Sequence, residues 1–272
     1  MPKFKDTVEI ASEVIKVASK DANARAAGHE LGKSALTVTK AINTALLPIA
    51  ALNYGIEKAR IYFERHFPSD LSAKANAIPP EQVVEPKASI AGPALQGLAF
   101  SHDEVDLKEL YLNLLATSMD GRVSNQVHPA FVPVIQQLTS FEAGLLRIYL
   151  GKSALFPIAE LHLTDKSAGH WDVLYRHLLN LTNSSTGEPT EVPGITEIID
   201  NWIRLGLVQV DYDKFVTGTG KDSYGWVTSR PEFIRLKSTS ESSTHEVKVQ
   251  QGVMAGTAFG ARFAAAVGIR LP

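Results

Sequence analysis

The residue types best able to bind a ligand or move a proton lie in one short stretch, where Asp120 and Arg122 precede His128, Pro129 and Phe131. An imidazole near a carboxylate can act as a general base or contact a ligand or partner. The same ring could instead cap the helix that begins near Pro129, or bond to Asp120 and so order the loop. Catalysis would also need a nucleophile or a second general base, and no residue at a suitable spacing supplies one. We therefore predict a loop-ordering or binding role for these five residues and no catalytic residue.

A second set of candidate ligands consists of His170 and His177, with Asp172 and His162 nearby in the sequence. The two histidines seven residues apart would share one face of a helix. Zinc sites usually take histidines four residues apart or a closer cluster, and the chain has no cysteine to add a thiolate. We therefore predict no metal site, no cofactor and no small-molecule substrate, and expect the protein not to be an enzyme.

Three helices are predicted to position the Asp120–His128 loop. Ser101 and Glu104 fit a capping box, and the residues after them form an apolar stripe over 107–119. Pro129 then stands near the first turn of a short helix, a position that proline tolerates. Thr139 and Glu142 fit a second capping box, which begins the next helix. The loop is therefore expected to join two packed helices.

Several motifs in this region resemble the abortive-infection alpha family, bacterial proteins that carry a domain of unknown function and are linked to defence against phage. The motifs are Ile78-Pro79-Pro80-Glu81, Ile90-Ala91-Gly92-Pro93-Ala94-Leu95, the helix-forming run 106–120, Val127-His128-Pro129-Ala130-Phe131, and Gln137-Leu138-Thr139-Ser140-Phe141-Glu142-Ala143. The resemblance is dense over residues 78–146 and looser on both sides. It implies a role in phage defence and names no reaction.

The composition describes an ordinary globular protein. The chain has 272 residues, of which 44% are hydrophobic and 21% charged, and its net charge is −2. A chain this long can bury a substantial core, and a charge so close to zero gives no general attraction to nucleic acid or anionic lipid. Residues 1–21 mix charges with apolar residues and do not read as a signal peptide. We expect a cytoplasmic protein for which nucleic acid is an unlikely partner.

Residues 41–56 form an apolar stretch without a charged side chain. The stretch is shorter than the roughly 20 apolar residues that a membrane-spanning helix needs, and Pro48 interrupts it. We predict a helix buried in the core or between subunits. Insertion into a membrane on activation stays open as the alternative.

The C-terminal part is predicted to resemble a winged helix. It has one expected helix over 168–181, a second that starts at Pro193 and ends at Gly206, a strand over 207–212, a returning strand near Val247 and Val249, and a final helix capped by Thr257. A winged helix invites a DNA-binding interpretation. However, residues 206–250 hold as many acidic as basic residues, whereas DNA affinity needs a basic surplus.

These observations predict a mainly α-helical fold, with an N-terminal and central helical bundle followed by a winged-helix-like α+β part. The expected segments are 1–67, 68–138 and 139–272. The predicted function is a non-enzymatic phage-defence protein that acts by recognising a protein partner or by self-association. Two alternatives stay open, namely a membrane-active effector that uses residues 41–56 and a winged-helix DNA-binding regulator.

Overall fold

The computed structural model describes residues 55–217 and 222–270. The chain divides into two compact units. The first, called here the helical unit, comprises Met1–Gly151 and Arg262–Pro272, and the second, called the sheet unit, comprises Lys152–Ala261. The helix predicted over 41–56 falls outside the described residues except for its last two positions.

The helical unit is built around one central helix. Its helices, numbered from the first described residue, are α1 Gly55–Arg65, α2 Phe67–Ala75, α3 Ala88–Ser101, α4 Val105–Met119, α5 Phe131–Ile135 and α6 Ser140–Leu150. The central helix is α4, which contacts α2, α3, α5 and α6. The predicted stripe is buried along its length, and Leu112 and Ala116 on the opposite side are buried too. The helix is therefore enclosed on most sides, which a one-sided stripe did not predict.

Of the two predicted capping boxes, one is confirmed and one is wrong. The Thr139 hydroxyl accepts a hydrogen bond from the backbone of Glu142 at 3.2 Å, and the Glu142 carboxylate accepts one from the backbone of Thr139 at 2.7 Å. Ser101, by contrast, is the last residue of α3, and its hydroxyl donates to the carbonyl of Gly97 at 2.9 Å. A serine can bond back to the preceding helical turn as readily as it can cap a following helix, and the sequence motif alone does not distinguish these two roles.

The sheet unit contains four antiparallel strands in the order β2-β1-β4-β3. Its elements are β1 Leu155–Asp165, β2 Trp171–Leu178, α7 Ile195–Arg204, β3 Val208–Asp211, α8 Pro231–Ser240 and β4 His245–Gly256. The long central strands β1 and β4 pair along their length, from Leu155 opposite Ala255 to Asp165 opposite His245. One face of the sheet carries the apolar core, which includes Ala159, Leu161, Leu178, Tyr224, Val227, Phe233 and Val247. The last helix, α9 Ala258–Ala266, follows β4.

The prediction of a mainly α-helical fold with a winged-helix-like C-terminal part is wrong, because the chain is a mixed α+β protein with a four-stranded antiparallel sheet. The helix expected over 168–181 is the strand β2, and β1 was not predicted at all. In β1, Leu161 and Leu163 alternate with Glu160 and His162, which is the two-residue period of a strand, although Glu160 and His162 are buried as well. The helical prediction agrees in part with the structure over residues 55–151.

Other C-terminal predictions are confirmed. The helix expected to end at Gly206 is α7, the strand over 207–212 is β3, and the returning strand is β4. Thr257 caps the final helix, since its hydroxyl accepts a hydrogen bond from the backbone of Gly260 at 2.8 Å. Within the two described ranges, no helix combines the length and the apolar character that crossing a membrane requires.

Candidate functional site

The loop singled out in the sequence is held by an ion pair between Asp120 and Arg122. The Arg122 guanidinium donates to the Asp120 carboxylate from Nη2 at 2.6 Å and from Nε at 2.8 Å, and the Arg122 backbone donates to it at 3.0 Å. These hydrogen bonds lower the pKa of Asp120. The carboxylate therefore stays charged and is engaged within its own loop.

The same loop is fastened to the irregular segment that precedes α3. The backbone of Gly121 donates to the carbonyl of Gln82, and the backbone of Val84 donates to the carbonyl of Met119, each at 2.8 Å. These bonds satisfy carbonyl and amide groups that would otherwise be left unpaired at the end of α4. Asp120 and Arg122 therefore lie where the irregular segment before α3 contacts the end of α4.

His128, Pro129 and Phe131 lie at the entry to α5. The Nδ1 atom of His128 accepts a hydrogen bond from the backbone of Ala130 at 3.1 Å, which is a capping contact. Phe131 is buried and meets Phe263 edge to face, with ring centroids 5.6 Å apart. These contacts are those of a loop-ordering group. A binding role for the five residues stays a prediction.

The remaining histidines of interest do not share a helical face, because His162 and His177 lie on the sheet and His170 lies in the turn between β1 and β2. His162 stacks on Trp171 with ring centroids 4.1 Å apart, and its Nε2 atom lies 2.9 Å from the Glu160 carboxylate. His177 lies in β2 at a bulge, where Arg176 and His177 stand opposite the single residue Glu160. No group of three or more histidine, aspartate or glutamate side chains arranged to hold a metal occurs in the part of the chain that the structure describes.

His177 connects three elements of the sheet unit. Its backbone has a φ of 58°, and its ring lies 2.9 Å from the Tyr212 hydroxyl through Nδ1 and 3.1 Å from Asp200 through Nε2. This order of carboxylate, imidazole and hydroxyl would suit proton transfer. However, burial raises the pKa of Tyr212 and lowers the pKa of His177. The proton is therefore held on the phenol, which is a poor nucleophile in that form.

A cavity of about 360 Å³ lies in the helical unit, between α3, α4 and the end of α5. Its apolar wall is formed by Phe100, Leu107, Ile135 and Leu138, and its polar groups belong to Gln96, Ser101, Glu104, Tyr111 and Gln136. A concave site that combines apolar walls with polar groups is a common form of binding site. This cavity is therefore a candidate site formed by described residues of the helical unit.

Tyr111 forms the buried end of this cavity. The residue is 2% exposed, and its hydroxyl lies so close to Gly97 that a Cβ atom at position 97 would overlap it. No residue in the described ranges hydrogen-bonds to this hydroxyl, and burial raises its pKa. The phenol is therefore a neutral hydrogen-bonding group that lines the cavity.

Several large apolar side chains of α3, α4 and α6 are exposed. Phe100, which lines the cavity, is 56% exposed, and Val105 at the start of α4 is 68% exposed. Phe141 and Ile148 are also exposed, and they stand seven residues apart on α6, where Arg147 pairs with Asp106 of α4 at 3.6 Å. We call Phe100, Val105, Phe141 and Ile148 the apolar rim. Exposed apolar side chains of this size are candidates for an interaction surface.

The comparisons with known proteins identify the family. The family model described as abortive infection alpha matches residues 60–267, which is most of the chain. The chain belongs to the abortive infection alpha family. No curated protein and no solved structure matches it. Family membership connects the chain with abortive infection, a form of defence against phage.

Sequence reasoning placed the candidate residues of this abortive infection alpha protein on the Asp120–His128 loop and missed the cavity. The loop motif was visible because its charged residues are close in sequence. The cavity depends on Gly97 of α3 meeting Tyr111 of α4, and no sequence spacing predicts that contact. One signal was available, since a glycine inside an otherwise good helix usually has a packing reason.

Proposed function

We propose that this abortive infection alpha protein acts in phage defence by binding another protein, and that it does so without catalysis. The binding surface in this proposal is the α3–α4 cavity together with the apolar rim. The observation that carries the proposal is that Phe100 lines the cavity and is at the same time 56% exposed.

The energetics of the rim support this assignment. Burying one large apolar side chain is worth about 1.5–3 kcal/mol, and the most important residues of protein interfaces are aromatic or other large groups seated in pockets. Phe100 fits that description, because it both lines the cavity and remains half exposed. A partner that covers Phe100 would gain this free energy without any rearrangement of the core.

The absence of catalysis in the proposal rests on the polar groups described above. The Asp120 carboxylate is neutralised by Arg122. The phenols of Tyr111 and Tyr212 have raised pKa values, so neither is prepared to act as a base or as a nucleophile at neutral pH.

The test compares two phenylalanines of nearly equal exposure in bacteria challenged with phage. Phe100→Ala removes the side chain at the cavity, whereas Phe215→Ala removes one that is 59% exposed in the sheet unit. We expect Phe100→Ala to abolish the protection that the wild-type chain gives, with an unchanged thermal unfolding temperature, and Phe215→Ala to retain protection. Equal protection by wild type and Phe100→Ala would contradict the proposal.

A second pair of variants extends the test to α6. Ile148→Ala changes the apolar rim, and Ile234→Ala is its matched control on α8, because these isoleucines are 58% and 57% exposed. We expect protection to fall only for Ile148→Ala. Light scattering of the purified variants, compared with the wild type, would reveal whether the lost contact is one between copies of this chain.

A further inference from the structure

We propose that the group which enters the α3–α4 cavity is an arginine side chain of a partner protein. This inference rests on the proposed function and names the chemistry that the cavity selects. It is carried by the hydrogen-bonding groups of the cavity, by the charge at its mouth and by the position of one aromatic ring.

Four polar side chains of the cavity have an acceptor oxygen without a partner among the described residues. No residue in the part of the chain that the structure describes forms a hydrogen bond with the following groups: the Tyr111 hydroxyl, the side-chain amides of Gln96 and Gln136, and the carboxylate of Glu104. Each of these groups has an oxygen that accepts hydrogen bonds, whereas a guanidinium carries five N–H donors and no acceptor. A purely apolar side chain would leave the buried Tyr111 hydroxyl unpaired, which carries a penalty.

The charge at the mouth of the cavity is negative. Asp103 and Glu104 are both exposed, and neither forms an ion pair with a residue in the described ranges. Lys108, the closest lysine in sequence, bonds to Asp70 at 3.5 Å, and Arg147 pairs with Asp106 at 3.6 Å, so neither neutralises Asp103 or Glu104. A cation from a partner would therefore meet uncompensated carboxylates there.

The apolar wall suits the rest of an arginine side chain. Leu107, Ile135 and Leu138 can pack against its aliphatic stem, which long basic side chains bury readily. The half-exposed ring of Phe100 offers a face on which the guanidinium plane can stack. Arginine suits this combination better than lysine, because its head group is planar and more weakly hydrated.

The experiment titrates the full-length, ¹⁵N-labelled chain with capped single amino acids and follows the backbone amide signals of Gly97, Glu104 and Tyr111. The probes are N-acetyl-arginine methylamide and N-acetyl-norleucine methylamide, which has an aliphatic stem but no charge. We expect both probes to shift these signals and the arginine probe to bind at least about tenfold more tightly, which is the gain of one charge-assisted hydrogen bond.

Two matched variants assign that difference to one carboxylate. Glu104→Gln removes the charge that lines the cavity, and Asp103→Asn removes the neighbouring exposed charge that does not line it. Glu104→Gln should weaken the arginine probe about tenfold and leave the norleucine probe unchanged. Asp103→Asn should change either affinity by no more than about twofold, as expected for a solvent-screened charge.

The possible outcomes separate this inference from the proposed function. Equal binding of both probes, unaffected by Glu104→Gln, would overturn the arginine inference and leave the cavity as an apolar protein-binding site. Tighter binding of free arginine than of the capped probe would overturn it in favour of a small-molecule site. Unchanged signals at the solubility limit of both probes would also overturn it, and the phage assay on Phe100→Ala would then decide the proposed function on its own.

Discussion

Removing the carboxylate of Glu232 should destabilise the sheet unit more than removing Glu232 and Arg230 together. Both side chains are almost fully buried, at 0% and 1% exposure, and Nη2 of Arg230 donates to Glu232 at 2.9 Å. The Arg230 guanidinium also donates to the carbonyls of Leu181 and Thr190. Arginine cannot be neutralised by losing a proton in a protein, so Glu232→Leu leaves a buried positive charge without its counterion.

The magnitudes follow from these contacts. Breaking a buried pair by removing one partner costs about 3–5 kcal/mol. The double variant Arg230→Met, Glu232→Leu carries no buried charge, and replacing a buried ion pair by apolar side chains of similar volume is often neutral. Here the carbonyls of Leu181 and Thr190 also lose a donor, which costs about 1 kcal/mol each. The double variant should therefore be more stable than Glu232→Leu alone, by about 1–3 kcal/mol.

The assay uses the distribution of tryptophan in the chain. All three tryptophans, Trp171, Trp202 and Trp226, belong to the sheet unit. Their fluorescence during urea unfolding therefore reports on that unit, while far-ultraviolet circular dichroism follows the whole chain. A double variant no more stable than Glu232→Leu would refute the argument that the unpaired charge dominates the cost.

Three further predictions concern single residues. Gly97→Ala should lower the free energy of unfolding by about 1–3 kcal/mol, because the added Cβ would overlap Tyr111. Gly92→Ala, in the same helix, places its Cβ in open space and should raise the free energy of unfolding by about 0.5–1 kcal/mol. Urea unfolding measures both changes. Burial lowers the pKa of His177 below its usual 6.5, so the wild type should lose stability as the pH falls below about 6.5. When the free energy of unfolding is measured across pH, His177→Asn should show a smaller loss. An equal loss in both proteins would argue against a buried neutral ring. His128→Asn should cost about 0.5–1.5 kcal/mol in thermal unfolding and keep the phage protection; a stable variant without protection would point to a binding role.

The sequence predicted those elements whose signals are local. The stripe over 107–119 was correctly assigned to a helix because it is long and keeps a single period. The capping box at Thr139 was correct because both of its hydrogen bonds join residues three apart. Local patterns of this kind decide helices and caps before any tertiary contact forms.

The failures came where tertiary contacts decide. The spacing of Val173, Leu174 and Leu178 fits a helical face, yet this segment forms β2 because it pairs with β1. The pairing of β1 with β2 has two register shifts, which disturb the alternation of apolar residues that would indicate a strand. The cavity could not be predicted from the sequence for a similar reason, since it exists only after α3 and α4 pack together. Asp120 and Arg122 were found, because their ion pair spans only two residues.

The helical unit is discontinuous along the chain, and this affects the order in which the protein can fold during synthesis. Phe131 packs against Phe263, and the Asn113 side chain donates to the carbonyl of Val267, a residue 154 positions later. The ribosome therefore has to make the whole of Lys152–Ala261 before the helical unit receives its last contacts. Pairings so distant in sequence form slowly, because closing long loops costs entropy before any contact repays it. The nascent chain can fold its sheet unit first, while the core near Phe131 waits for the final helix to leave the ribosome.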